Sequence, residues 1–436
     1  MRISFAHGPT LTRALRDSTH METVVATSRR ALVIVLSTVK EDPRVRRQMR
    51  WLAEEGWTVD SLGLGADSGD DSGDHFAIAP DAAWTKGRFG HAFVHGLVPY
   101  RRRFALLSES HFPAEVTDRV RSGAYELIIF NDTHLIPWVG RRSTFTAAAR
   151  RAHIHLDLHE YFAPTFPGTS LWRKIMRGYY AWGRTFIGHE AFDSRSVVAS
   201  GIGELYATEF PIPVPFVVRN CPPFVDQQPS PTADDRIELI HHGGAAWSRG
   251  FRQMVDAMKL VDDRFTLTFM LVGTPQVIRE LKEYAAPLGD RVRFVDPVSM
   301  VDLATTINRY DAEVMFFPPT TQNLRFALPN KLFEAVQGRL ASVIGPTPMM
   351  VDVVDEFGLG VTAEGWEAAD LARAIDSLTP ETVRTFKDAA GRAALVLNSE
   401  HEKAAFLASV GQASAGTASS ATASPGQASP RSEPSA

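Results

Sequence analysis

Covalent cross-links are excluded at the outset. The 436-residue chain has one cysteine, Cys221, so it can form neither an intrachain disulfide nor a cysteine-based zinc site. A reducing compartment is the default for such a sequence, and the cytoplasm is the expected location. No apolar run approaches the roughly 20 residues that a membrane-spanning helix needs. The first 29 residues have no continuous apolar stretch of the secretory type. They read as a mobile arm, or as an extension ahead of a start at Met21. Positive charge is short as well: a formal net charge of -4 argues against a general nucleic-acid binder. The first strand-to-helix turn also lacks G-x-G-x-x-G, which removes the main support for a nicotinamide-dependent oxidoreductase.

What is present is a soluble globular composition, 44% hydrophobic and 22% charged, with length enough for two domains. Ala31-Leu32-Val33-Ile34-Val35-Leu36 is a β-branched apolar run of the kind found in fully buried parallel strands. A loop carrying Asp42 follows. A helix from Arg44 to Glu55 with an inner stripe of Val45, Met49 and Leu52 comes next, and then a second strand over 57–63. Residues 66–84, rich in Asp, Ser and Gly, read as a flexible loop. Leu127–Phe130 and Ile154–Leu158 are further buried strands, ending in Asn131-Asp132-Thr133-His134 and in His159-Glu160. Polar residues at the carboxyl ends of central strands sit where open α/β sheets bind ligands. Single histidines there also serve as satisfied structural groups. Strands over 196–201 and 216–220 complete this half.

Pro222-Pro223 and Gln227–Pro231 form a proline-rich linker, after which the alternation starts again. Ile237–His242 is a strand, Gly243 and Gly244 open the following turn, and Arg249 precedes a helix over 251–261. Glycines at such a turn let backbone N–H groups approach a phosphate. Phe265–Gly273 is the next strand. A segment over 291–298 holds Asp296 and Val298, and 320–328 is a loop containing Asn323. Pro329-Asn330-Lys331-Leu332-Phe333-Glu334 then reads as a helix start, followed by a strand over 341–345. A helix N-terminus carrying Lys331 suits an anion, and Glu334 one turn later suits vicinal hydroxyls. The same spacing equally describes a surface helix in which Lys331 and Glu334 are a solvated pair.

The run PNKLFEAVQGRLASVIG resembles the donor-site motif of retaining, nucleotide-sugar-dependent glycosyltransferases of family 4. The likeness covers about residues 30–400 and extends to Asp157–Glu160, Arg219–Pro222 and the Asp42–Gln48 segment. It implies an α/β chain of the GT-B fold, two Rossmann-like doubly wound domains facing each other across a cleft. The N-terminal domain would span 30–222 and the linker 223–231. A donor domain would span 232–398, a helix over 399–410 would cross back, and residues 411–436 would be a disordered Ala/Ser/Pro tail. The resemblance places the donor on Gly243, Gly244, Arg249, Asp296, Val298, Asn323, Asn330, Lys331, Leu332 and Glu334. His159 and Asp132, with Arg249 and Lys331, would serve the chemistry, and Asp42, Arg44, His134 and Glu160 would face the acceptor. No metal and no cofactor beyond the nucleotide-sugar substrate is implied.

One departure stands out. Many relatives carry a second glutamate eight positions before the ribose-binding one, and here that place is Phe326. The departure keeps a non-catalytic sugar-nucleotide-binding partner open as an alternative, beside a nucleotide-sugar epimerase of the same fold. The acceptor class implied is a carbohydrate or lipid-linked hydroxyl in cell-surface polysaccharide or glycolipid synthesis. Basic and aromatic residues interleave over Lys86–Phe104, and 171–187 forms an amphipathic stretch with Arg173, Lys174, Arg177 and Arg184 largely off its apolar stripe. Both suit the inner leaflet of a membrane. They equally suit a solvated loop and a helix packed on its own sheet.

Overall fold

The computed structural model describes residues 29–69, 72–79, 97–131, 133–163 and 171–411, without the side chains of 171–175. The N-terminal arm, the Ala/Ser/Pro tail, Asp132 and the first part of the basic stretch lie outside these residues.

Two all-parallel sheets carry the chain. The first has seven strands: β1 Arg30–Thr38, β2 Thr58–Leu64, β3 His75–Ala77, β4 Leu127–Asn131, β5 His153–Leu158, β6 Ser194–Val197 and β7 Phe216–Val217. Their order across the sheet is β3-β2-β1-β4-β5-β6-β7. The second has six: β8 Ile237–Ala245, β9 Phe265–Gly273, β10 Val292–Val295, β11 Ala312–Met315, β12 Ala341–Ile344 and β13 Gly360–Thr362, in the order β10-β9-β8-β11-β12-β13. Each sheet reverses direction once, between β1 and β4 and between β8 and β11. Those reversals open the crevices in which doubly wound sheets bind ligands. Helices cover both faces, which is why the central strands read as continuous apolar runs. Leu32, Val33 and Ile34 are fully buried, as are Leu239 and Ile240.

Several boundaries differ from the sequence reading: the strands expected over 196–201 and 216–220 are Ser194–Val197 and Phe216–Val217, and a helix opens at Ser200. The stretch 66–84 contains β3, which pairs Ser61, Leu62 and Gly63 of β2 with His75, Phe76 and Ala77. Three residues are too short to show a period, so its composition alone reads as loop. Strand β8 runs on through Gly243 and Gly244 to Ala245, because the backbone of β9 pairs with it to the end. The loop over 320–328 holds one helical turn, Gln322–Arg325, whose first N–H groups are capped by Thr321, with its hydroxyl 3.2 Å from the Leu324 nitrogen.

The last helix, Ser399–Ser409, packs on the N-terminal sheet. Phe406, Leu407 and Val410 join Ala31, Val33, Trp51 and Ile129 in one buried cluster. Glu402, 2% exposed, accepts from the backbone nitrogen of Arg219 at 2.7 Å and from its Nε at 2.8 Å. Burying three such side chains stabilises the docked helix by about 1.5–3 kcal/mol each for the large ones. The two domains are thereby held by a second connection besides the linker. No helix among the described residues is long and apolar enough to cross a membrane.

Candidate functional site

The two crevices face each other across a cleft of about 950 Å³. From the second domain it is lined by the end of β8, the Ser248-Arg249 turn and the helix Asn330–Gln337. That helix splits its residues between two tasks. Leu332, Phe333 and Val336 are fully buried against Cys221, Met315 and Phe317. Lys331 and Glu334, one turn apart, line the cleft while remaining 4% and 8% exposed. They are therefore not a solvated pair. Leu332, expected at the donor, is a core residue whose N–H already bonds the Pro329 carbonyl at 3.1 Å.

Lys331 Nζ donates to the His242 carbonyl at 2.5 Å and to His241 Nε2 at 3.1 Å. His241 donates in turn from Nδ1 to the Val314 carbonyl at 2.7 Å. Burial and the neighbouring Lys331 charge keep His241 neutral, well below the ordinary histidine pKa. Burial also lowers the Lys331 ammonium to about 8, and Arg249 pushes the same way. Gly243 is in the left-handed region at φ +112°, and a Cβ there would lie 3.3 Å from Lys331 Nζ. Gly250, at φ +72°, would place a Cβ 2.1 Å from the Phe316 carbonyl oxygen, so only glycine brings the Arg249 turn down onto the sheet.

Arg249 and Lys331 flank one aromatic ring, at 6.0 Å and 5.2 Å from the Phe317 centroid. Neither has a carboxylate within ion-pairing distance among the described residues. Two cations held on a rigid scaffold without an anion between them make a site for a charged oxyanion ligand. Glu334 is fixed differently: its Oε2 accepts from His242 Nε2 at 2.8 Å, and His242 Nδ1 lies 2.9 Å from Glu313 Oε2. Glu313 is completely buried.

The first domain supplies Asp42, Arg44, His159 and Glu160. Asp42 caps the helix Pro43–Glu54, accepting from the nitrogens of Arg44 and Val45 at 3.2 Å. Arg44, 5% exposed, is committed to Asp157: its Nε and Nη2 bind the two carboxylate oxygens at 2.6 and 2.5 Å. It is a buried cation paired within its own domain, although it is also among the residues lining the cleft. Ser196 Oγ and Gln48 also donate to Asp157. His159 Nε2 lies 3.0 Å from Asn131 Oδ1 and 3.6 Å from Asp157. Across the mouth, Asn323 bridges the domains, accepting from the Tyr161 nitrogen at 2.7 Å and donating to Glu160 Oε2 at 3.1 Å. Asn330 Oδ1 accepts from Asn220, just ahead of the linker, at 2.6 Å.

Some expected residues lie elsewhere. Val298 lines the cleft with Pro297, Met270, Val272 and Met300, but Asp296 is exposed and does not. His134 is exposed beside Phe162, their rings 5.6 Å apart, and is not among the cleft residues. Sequence reasoning missed His241, His242 and Glu313. The signal was there: a lone carboxylate inside the apolar strand Ala312–Met315 needs a buried partner.

Residues 236–380 match the family model of Glycosyl transferases group 1. No curated protein matches the chain. Among solved structures, sucrose-phosphate synthase from Thermosynechococcus elongatus superposes with a TM-score of 0.61 at 17% identity, covering 86% of this chain and 96% of that one. A glycosyltransferase from Rickettsia africae gives 0.60 at 12% identity over the same shares, 86% and 96%. The Anabaena protein HepE in complex with UDP gives 0.61 at 13% identity, over 86% of this chain and 97% of that one. These identities establish the architecture. The chain thus carries a Glycosyl transferases group 1 domain over residues 236–380, set in a two-domain architecture of the GT-B fold.

Proposed function

We propose that the chain is a retaining glycosyltransferase that moves a sugar from a nucleoside diphosphate sugar to a hydroxyl acceptor. The observation that carries this reading is the pair of cleft cations, Arg249 and Lys331, with the Glu334 carboxylate one helical turn beyond Lys331. In transfer, negative charge develops on the departing diphosphate, and fixed cations in a partly desolvated cleft stabilise it. Glu334 accepts from the ribose hydroxyls. The apolar rim of Met270, Val272, Pro297 and Val298 takes the base. His159 faces the reacting centre from the first domain, the role the resemblance also gives Asp132. No side chain among the described cleft residues is an evident covalent nucleophile, which favours same-face substitution assisted by the leaving group, with no metal required.

The acceptor reading is a carbohydrate or lipid-linked hydroxyl in cell-surface polysaccharide or glycolipid synthesis, with the protein cytoplasmic and peripheral at the inner membrane face. Its support is local: Leu97 and Leu106 are 75% and 40% exposed beside the exposed Arg101 and Arg102. Tyr100 of the same segment packs on Tyr179 and Trp182 of the amphipathic helix, at 5.9 and 6.0 Å. Co-sedimentation with anionic liposomes at low salt is the check, and its absence removes the membrane part alone.

For the donor, calorimetric binding of UDP, GDP, ADP and CMP to the native chain and to Glu334→Ala is decisive. Selective binding of one nucleoside diphosphate, weakened by the substitution, is expected. UDP comes first because HepE was solved with it and an E. coli trehalose-6-phosphate protein with UDP-2-fluoroglucose. The non-catalytic alternative rests on Phe326, and nucleotide binding without hydrolysis or transfer would favour it.

A further inference from the structure

The donor-site reading leaves two fully buried groups unused. Glu313 lies at 0% exposure in the middle of an apolar strand, and His242 at 3% near the end of β8. A buried carboxylate without a partner is strongly unfavourable, and this one spends both oxygens on a single residue. Its Oε1 accepts from the His242 backbone nitrogen at 3.1 Å, and its Oε2 meets His242 Nδ1 at 2.9 Å. The opposite ring nitrogen, Nε2, meets Glu334 at 2.8 Å, and the carbonyl of His242 takes the Lys331 ammonium at 2.5 Å. One residue thus touches both the carboxylate read as the ribose ligand and the cation read as the diphosphate ligand.

We propose that His242 and Glu313 are positioning residues of the donor site, Glu313 fixing the His242 ring and the ring fixing the Glu334 carboxylate toward the nucleoside hydroxyls. The inference rests on the donor-site reading above and names what makes that site rigid. Glu334 sits on the cleft-lining side of the helix Asn330–Gln337, where a free glutamate would sample several rotamers and lose entropy on binding. A ring anchored at its far nitrogen removes that freedom before the nucleotide arrives.

The charges facing His242 agree with this arrangement. Burial opposes its protonation, but Glu313 on β11 and Glu334 on the helix raise it to about 9. Lys331 on the same helix, His241 beside it and Arg249 on the neighbouring turn are the remaining titratable groups around it, and His241 is neutral. The partner strand β9 offers Met270 opposite His242, which does not titrate. At neutral pH the line Glu313–His242–Glu334 therefore carries a central imidazolium between two carboxylates, a pair of charge-assisted bonds.

The test uses the whole chain and a two-residue cycle. UDP, GDP and ADP are titrated calorimetrically into wild type, and the tightest is then titrated into Glu313→Gln, Glu334→Gln and the double variant. Glu313→Gln is expected to weaken binding about tenfold at pH 7.5, and the double variant no more than the worse single one, since both act through one carboxylate. Its affinity is expected to fall between about pH 6 and 7.5, as His242 returns to the ordinary histidine range, whereas wild type holds to about pH 8. Effects that multiply in the double variant, or a Glu313→Gln protein that binds like wild type while Glu334→Gln does not, overturn the positioning role alone. Failure of wild type to bind any of the three overturns the donor site and this inference together. A second measurement needs no folded variant at Glu313 and no ligand. In histidine-labelled wild type, the His242 ring, assigned by loss of its signal in His242→Gln, is expected to remain an imidazolium at pH 8 by NMR. Titration at or below pH 6.5 overturns the proposal.

Discussion

Phe326 lies against Gly201 across the cleft, so closely that a Cβ on Gly201 would come within 2.7 Å of the Phe326 ring. The place where many relatives carry a carboxylate is, in this chain, an apolar contact between the two domains. Phe326, Leu328 and Met349 all pack on the hydrophobic core of the first domain, and the Gly201 nitrogen points at Met349 Sδ from 3.2 Å. Gly201→Val is expected to cost about 1–3 kcal/mol through overpacking of this contact. Adding Phe326→Ala should relieve part of that cost. Thermal unfolding of the two single variants and the pair decides it: strictly additive losses would mean that the two residues do not press on each other.

Lys331→Ala removes one of the two cleft cations proposed to face the leaving diphosphate. Its effect on kcat/KM with the native donor should be about a hundredfold or more, the usual cost of losing a charge contact to a developing anion. A loss below about threefold would take Lys331 out of the chemistry.

The Lys331 ammonium, held down to about 8 by burial, also sets a pH window. Its folded-state value lies below the free value of 10.5, so between these two limits the folded state holds fewer protons and this group favours folding as pH rises. Nucleotide binding is expected to run the opposite way, because the proposed contact to the diphosphate needs the ammonium. Affinity should decline above about pH 8, and binding near that pH should take up protons, seen as a buffer-dependent heat. Lys331→Met should abolish the uptake.

Asp157 is the stability counterpart of these cleft charges. Burial alone would raise its carboxyl, but Arg44 and the surrounding donors hold it well below the usual value of 3.8. Its contribution is present above that ordinary value and fades as pH falls below it. Asp157→Asn leaves Arg44 buried and uncompensated, and should cost about 3–5 kcal/mol at neutral pH. Denaturant unfolding at pH 7 and again below about pH 4 should show the gap narrowing in acid.

Much of the architecture follows from local chemistry in the chain. Runs such as Ala31–Val35 and Phe265–Leu271 can only be buried strands, and their alternation with amphipathic helices dictates parallel sheets with helices on both faces. The helix start at Pro329, with Lys331 and Glu334 one turn apart, was equally plain. What periodicity could not supply is which polar residue meets which. Glu313 and His242 are 71 positions apart, and Arg44 and Asp157 are 113 apart. Those pairings depend on strand order and register, which no local pattern encodes. Strand β3 escaped for another reason, being too short to show alternation. The lack of long-range information also hid the use of Phe326 as an interdomain contact. Local sequence determined the elements and the cations at their ends. Only the tertiary structure decided which buried charges hold those cations and carboxylates in place, because a charge inside a protein is governed by neighbours that sequence distance does not reveal.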